Sequence, residues 1–255
     1  RLSRKYGGSL DAMLVLQDSL RAQLAQLDTA ETRLQDLATA VEDAARRVGE
    51  LAGRLSRKRI DAAKKLTTQV TKELSALRME RTRFAVEVLP LPGETSYGQM
   101  GHDAVEFVFS ANPGEPLKPL AKVASGGELS RVMLAVKTIL AESDRVPVLI
   151  FDEVDAGVGG AVAEVMGTRL RDLSRHHQVL CVTHLPQVGS QAHAHYLVEK
   201  QVRQQRTVTQ VRLLTERERE EEVARMLAGV TVTNSARAAA AEMIGSAKER
   251  RARSD

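Results

Sequence analysis

Two adjacent carboxylates follow an apolar segment near the middle of the chain. Residues 147–151 read Pro-Val-Leu-Ile-Phe, and Asp152 and Glu153 come directly after them. Such a segment predicts a buried strand, and ligands of parallel sheets bind at the carboxyl ends of strands. One carboxylate of such a pair can hold Mg²⁺ while the other orients or deprotonates an attacking water. A turn or helix cap is the simpler interpretation of Asp152 taken alone.

A glycine-rich turn precedes a helical pattern 24 residues earlier. It reads Ser125-Gly126-Gly127-Glu128, and the helix is predicted over 129–140. Free backbone N–H groups and the positive end of a helix favour an anion, and glycines let a phosphate approach the main chain. An ordinary capping turn would have the same composition, so the motif alone does not decide.

A histidine follows the next predicted strand, residues 178–183. His184 comes directly after Thr183, and the sheet edge that carries Asp152 and Glu153 is expected to carry this imidazole as well. It could donate a hydrogen bond to a terminal phosphate, although a lone histidine at a strand end is more often structural.

The order and spacing of these three motifs resemble the second half of an ABC-type ATPase. The glycine-rich turn matches the signature motif, the strand ending at Asp152 and Glu153 matches Walker B, and His184 matches the switch histidine. The resemblance implies ATP and Mg²⁺ as cofactors and hydrolysis of ATP as the activity.

The first part of the chain is typical of a coiled coil. Apolar residues recur at alternating steps of four and three, and ten of eleven such positions between Leu20 and Leu55 are apolar. A helix with this seam needs a partner helix to bury it. Gly49 and Gly53 predict a weak point, and packing on a globular domain is the alternative to a free arm.

The residues of these motifs, together with the arm, resemble the RecN family of bacterial DNA-repair proteins, a branch of the SMC-like ABC ATPases. The strings 122–137 and 150–160 carry most of the resemblance, and 105–107 and 182–188 match as well. The resemblance covers 84–250 by motif and the arm by architecture, and it implies a role in repair of double-strand breaks.

The resemblance assigns the signature motif to ATP held by the opposite head of a dimer. Ser125, Gly126 and Gly127 would bind the γ-phosphate in trans, and Glu128 would support their loop. The head dimer would close on ATP and open on hydrolysis.

The resemblance also assigns the residues around Walker B. Asp152 would position Mg²⁺, Glu153 would be the catalytic base, and His184 would sense or stabilise the γ-phosphate. Asp155 would lie in the D-loop, which crosses the dimer interface. Gly159 replaces the aspartate that usually ends this loop in ABC proteins.

The expected fold class is α/β: the C-terminal lobe of an ABC-type head, with a parallel-sheet core and helices, after a long coiled-coil helix. Residues 1–83 are the predicted arm and 84–255 the predicted head lobe. Strands are also expected over 84–88, 104–109 and 196–199, with a further alternating segment over 208–214.

No Gly-x-x-x-x-Gly-Lys sequence followed by Ser or Thr occurs in the chain. The sequence is therefore interpreted as a C-terminal half that lacks the P-loop, and alone it is expected to hydrolyse essentially no ATP. Its beginning at Arg1 fits this interpretation.

The expected partners are an N-terminal P-loop half, a second copy joined through ATP, and DNA. A net charge of +4 permits DNA binding without requiring it, and the basic end at Lys248, Arg250, Arg251 and Arg253 could contact phosphates or simply complement a helix dipole. No membrane partner is expected, and the location is cytoplasmic and nucleoid-associated. The alternatives are a cohesin-type tether of chromosomes, in which ATP acts only as a latch, and the nucleotide-binding subunit of a transporter.

Overall fold

The computed structural model describes residues 5, 8–93, 97–122, 125–203 and 206–252. Tertiary contacts divide the chain into two compact units: Arg1–Arg59 with Leu89–Ala104, and Ile60–Val88 with Val105–Asp255. The division at residue 83 stays a prediction. In the part of the chain that the structure describes, no helix is both long enough and apolar enough to cross a membrane.

Helix α1 runs without interruption over 67 residues, Leu10–Ala76. Its rise of about 1.5 Å per residue gives a length of roughly 100 Å. The weak point expected at Gly49 and Gly53 does not break it. The large apolar residues of the seam from Leu20 to Leu55 are between 36 % and 68 % exposed, whereas Ala52 near its end is 5 % exposed. Most of this stripe of α1 therefore lies in solvent.

The last turns of α1 are buried instead. Val70, Leu74 and Leu77 are at most 2 % exposed. Val70 and Leu74 pack in one core cluster with Phe84 and Phe109, while Leu77 belongs to a second cluster. The end of the helix thus packs on a globular core, whereas the segment before it carries the exposed apolar stripe expected of an arm.

Three strands follow α1 and form one sheet in the order β1-β2-β3. The hydroxyl oxygen of Thr67, on α1, accepts a hydrogen bond from the main-chain N–H of Val86 at 3.2 Å, which ties this sheet to the end of the helix. The strands are β1 (Arg83–Pro90), β2 (Asp103–Ser110) and β3 (Lys118–Pro119).

The α/β part consists of helices α2 (Gly126–Leu140) and α3 (Ala161–Leu173) with strands β4 (Val148–Phe151) and β5 (Gln178–Cys181). β4 and β5 pair in parallel with Val148 opposite Gln178, as expected for a strand, helix, strand unit. Their inner face packs in a core cluster built by the following residues: Leu134, Leu149, Phe151, Val154, Met166, Leu170, Leu173 and Val188.

The last two described strands pair differently from β4 and β5. Strands β6 (Tyr196–Arg203) and β7 (Arg206–Leu213) pair with each other and are antiparallel, in a two-stranded sheet of their own. Only residues 204 and 205 separate them, whereas a parallel crossover needs a dozen residues or more.

Three further helices complete the second unit. They are the short α4 (Pro186–Gly189), α5 (Glu216–Ala228) and α6 (Asn234–Ala252). Val223 and Ala224 of α5 pack on Ala240 and Ile244 of α6. Charge pairs Lys248–Glu216 and Arg250–Glu164 hold two of the cations expected at the basic end, while Arg253 lies outside the described residues.

Candidate functional site

The glycine-rich turn forms the N-terminus of α2. Ser125 has an extended backbone and caps the helix: its hydroxyl oxygen accepts a hydrogen bond from the N–H of Glu128 at 3.4 Å. Ser125 thus satisfies one of the free N–H groups of the first turn, and the others remain available to an anion. Val123 and Ala124, which belong to the matching string, lie outside the described residues.

The two carboxylates lie directly after β4. One carboxylate oxygen of Asp152 accepts a hydrogen bond from the N–H of Glu153 at 2.9 Å. Glu153 has a φ of +55°, a left-handed conformation that is uncommon for a residue with a side chain. Both residues are exposed, so the strained turn presents two carboxylates to solvent.

The glycine-rich turn at 125–128 and the turn after β4 lie against each other. A Cβ atom on Gly126 would be 2.5 Å from Oε2 of Glu153. One on Gly127 would be 3.0 Å from Cβ of Ala156 and 3.1 Å from the main-chain oxygen of Glu153. A side chain at Gly126 would displace the Glu153 carboxylate and one at Gly127 would press on Ala156 and on the main chain of Glu153. The carboxylate of Glu153 lies beside the positive end of α2.

Two side chains of α2 fix this contact. The Ser130 hydroxyl donates to the main-chain oxygen of Asp152 at 2.7 Å. Arg131 donates through Nη1 to the oxygens of Ala156 at 2.9 Å and Val154 at 3.4 Å. Burial lowers the pKa of the Arg131 guanidinium. Neither residue was predicted as part of the site, because Ser and Arg on a helix give no signal of a distant main-chain partner.

Asp155 connects the turn after β4 to Thr183 and His184, which follow β5. Its side chain is buried, and the residue is 3 % exposed. Its Oδ2 accepts hydrogen bonds from the Thr183 hydroxyl at 2.6 Å and from the N–H of His184 at 3.1 Å. His184 also places Nδ1 3.2 Å from this oxygen, while its side chain is 73 % exposed.

The predicted site residues therefore form two groups. Gly126 and Gly127 contact the Walker B turn, and His184 contacts Asp155. No hydrogen bond described for the second unit joins His184 to the signature turn or to Glu153.

The donor set fits Mg²⁺ only as part of a larger site. Within the described ranges, no group of three or more His, Cys, Asp or Glu side chains could hold a metal ion. Asp152 offers one exposed carboxylate, and Mg²⁺ is commonly held by one or two carboxylates together with phosphate oxygens and waters. Phosphate oxygens and waters would complete such a site.

Comparison with known proteins shows which proteins this chain resembles. No protein-family model matches the chain. The DNA repair protein RecN of Halalkalibacterium halodurans is 41 % identical over 245 residues, which are 96 % of this chain and 43 % of that protein. The RecN of Bacillus subtilis is 38 % identical over 261 residues, 98 % of this chain and 45 % of the relative. The chain is RecN-like. This confirms the resemblance seen in the motifs.

The RecN-like chain spans less than half the length of the curated relatives it matches. That share agrees with the expected correspondence to a C-terminal half. An SMC head domain with a coiled coil and joint from Pyrococcus yayanosii has a similar structure, with a TM-score of 0.56 and 15 % identity. The similarity covers 84 % of this chain and 38 % of that one, and it confirms the expected head lobe preceded by a long helix.

Proposed function

We propose that this chain is the C-terminal half of a RecN-like ATPase that acts in DNA double-strand-break repair. The observation that supports this most is the contact between the signature turn and the Walker B turn, where Gly126 leaves room for the carboxylate of Glu153. An anion site at a helix end and a candidate base thereby share one edge of the lobe.

Each site residue has a proposed task. The N-terminus of α2, with Ser125, Gly126 and Gly127, binds the γ-phosphate of ATP held by the opposite head, and Glu128 supports the turn. Main-chain N–H groups suit this task because they carry no charge that must be desolvated.

The chemistry proposed for the end of β4 is activation of a water molecule. Glu153 accepts the proton of the attacking water. Asp152 would hold Mg²⁺, and the bound ion would neutralise charge on the phosphates. His184 contacts the γ-phosphate. Asp155 belongs to the loop that faces the partner head in the predicted dimer.

An N-terminal half with the P-loop is the proposed first partner. The outer face of β4 and β5 is the surface on which we expect it to bind. Four apolar side chains there are between 40 % and 71 % exposed: Val148, Ile150, Leu180 and Val182. Two neighbouring strands with apolar side chains in solvent favour a further layer of protein. Alone, the chain is expected to hydrolyse essentially no ATP.

The other proposed partners are a second head, joined through ATP, and DNA. The exposed seam of α1 supports pairing with another helix, either within one complete protein or between two. A repair role would place the protein in the cytoplasm, at the nucleoid. A cohesin-type tether is the alternative, and the 67-residue α1 favours repair because it is short for an arm that organises chromosomes.

The test is steady-state ATP hydrolysis by the chain alone and mixed with a separately produced upstream half that carries the P-loop. We expect activity only on mixing. Glu153→Gln should abolish it while ATP binding is kept, and the exposed Glu142→Gln should behave like the unchanged chain. Hydrolysis by the chain alone, or normal turnover with Glu153→Gln, would refute the proposal.

A further inference from the structure

Asp155 is a buried carboxylate for which the proposed chemistry has no direct use. It is 3 % exposed, three residues after Asp152 and on the same turn that carries Glu153. A buried carboxylate is costly unless donors surround it. Two hydrogen bonds reach the same oxygen, from the Thr183 hydroxyl and from the N–H of His184, and Nδ1 of the His184 ring lies 3.2 Å from it.

Thr183 sets the direction of this network. Its hydroxyl oxygen accepts a hydrogen bond from the N–H of Leu185 at 3.0 Å. The hydroxyl proton is therefore free to point at Asp155, to which the oxygen lies at 2.6 Å. The turn after β5 is thus fixed to the turn after β4 through one side chain on each.

The contact with His184 selects one ring orientation. The imidazole is 73 % exposed, so packing does not hold it and the 3.2 Å contact with Asp155 is its described anchor. An ionised carboxylate only accepts hydrogen bonds and repels the lone pair of an unprotonated nitrogen, so its place 3.2 Å from Nδ1 favours the proton on Nδ1 and leaves Nε2 for another partner.

We propose that Asp155 is a positioning residue: it fixes the ring orientation and the Nδ1–H tautomer of His184, so that Nε2 is presented to the terminal phosphate. The inference rests on the proposed function of His184. It gives Asp155 a task inside its own lobe, in addition to membership of the loop expected at the dimer interface.

A double-mutant cycle on ATP hydrolysis tests this in the complete protein that contains this chain. His184→Gln and Asp155→Asn should each lower kcat about tenfold or more, as expected for loss of a charge-assisted hydrogen bond. The combined variant should be little slower than His184→Gln alone, because the proposed effect of Asp155 on kcat is exerted through the ring. Asp144→Asn, which removes the charge partner of Lys137 outside the site, should leave kcat unchanged.

The outcomes separate the two proposals. Independent, multiplying effects of Asp155→Asn and His184→Gln would overturn the positioning role, and so would normal kcat with Asp155→Asn. Normal kcat with His184→Gln would instead overturn the proposed function of His184 itself.

A measurement on the unchanged protein covers the case in which Asp155→Asn does not fold. Ring ¹⁵N chemical shifts of His184, assigned by their loss in His184→Gln, report which nitrogen carries the proton in the neutral ring. We expect the Nδ1–H tautomer. The Nε2–H tautomer would contradict the proposal, whatever the kinetic result.

Discussion

The carboxylate of Glu153 lies where a side chain on Gly126 would have to be. A Cβ atom there would lie 2.5 Å from Oε2 of Glu153, closer than carbon and oxygen can approach without a bond. Since the far end of a glutamate can move, the overlap would displace the carboxylate rather than unfold the lobe. The glycine thus links the anion site of α2 to the position of the candidate base.

Gly126→Ala should therefore reduce activity more than stability. We expect ATP hydrolysis by the complete protein to fall about tenfold or more, a change of at least about 1.4 kcal/mol in the activation barrier. The free energy of unfolding should change by no more than about 1 kcal/mol. Steady-state kinetics and urea denaturation of the same preparation measure both.

Gly245→Ala is the matched control for this substitution. Gly245 lies in helix α6, and nothing is within 4 Å of the Cβ position. Alanine should stabilise this helix by up to about 1 kcal/mol and leave hydrolysis unchanged. Equal activity of the two variants would show that the space at Gly126 has no functional role.

Arg219 supports the segment after the switch histidine. It is 6 % exposed, and its Nη2 donates to the main-chain oxygens of Ser190 at 2.8 Å and Ala192 at 2.6 Å. Burial lowers the pKa of its guanidinium. The guanidinium thus supplies donors to main-chain oxygens just after the short helix α4.

Arg219→Met should destabilise the protein by about 1.5–3 kcal/mol, because it leaves buried carbonyl oxygens without a donor. Arg217→Met, an exposed position on the same helix, should change stability by less than about 0.5 kcal/mol. Thermal and urea unfolding of both variants test this. A similar small effect at the two positions would mean that water replaces the guanidinium.

The elements of the site could be predicted from the sequence more completely than its contacts. An apolar run before Asp152 and a Ser-Gly-Gly turn before a helix are local patterns, and both elements occur where predicted. The burial of Asp155 could not be predicted, because its donors at Thr183 and His184 are 28 and 29 residues away. Only the pairing of β4 with β5 brings these two turns together.

The pairing of β6 with β7 was not predictable from the alternating pattern either. Alternating residues indicated strands at 196–199 and 208–214, but alternation does not specify the partner strand. The short separation of two residues between the observed strands is the informative feature, and it becomes visible only when both strands are extended to their full length.

Acid should weaken the start of α5 through Glu218. The N–H and hydroxyl of Thr215, then Arg212, donate to this carboxylate and lower its pKa from 4.5 to about 2. A depressed pKa contributes stability that is fully present above the ordinary pKa and is lost as the pH falls toward the folded-state value. The contribution should therefore disappear between about pH 4.5 and about pH 2.

Glu218→Gln should make the decline of unfolding free energy in this pH range less steep, since the variant has no proton to take up there. Thr215→Ser keeps both donors and should retain the slope of the unchanged protein. Urea titrations at a series of pH values provide the comparison. If the unfolding free energy of Glu218→Gln fell as steeply with pH as that of the unchanged protein, the hydrogen bonds between Thr215 and Glu218 would not persist in acid.

The exposed seam of α1 predicts different effects for two valines of nearly equal exposure. Val41 lies on the seam and is 67 % exposed, whereas Val15 precedes its first residue, Leu20, and is 71 % exposed. If the seam pairs with another helix, Val41→Ser removes apolar surface from a buried interface and should lower the stability of the paired arm by about 1–2 kcal/mol.

Val15→Ser should have little effect, because serine there stays in solvent. Circular dichroism melting of the complete protein, with sedimentation to follow association, measures the difference. Equal melting of the two variants would indicate that this stripe remains in solvent in the complete protein as well.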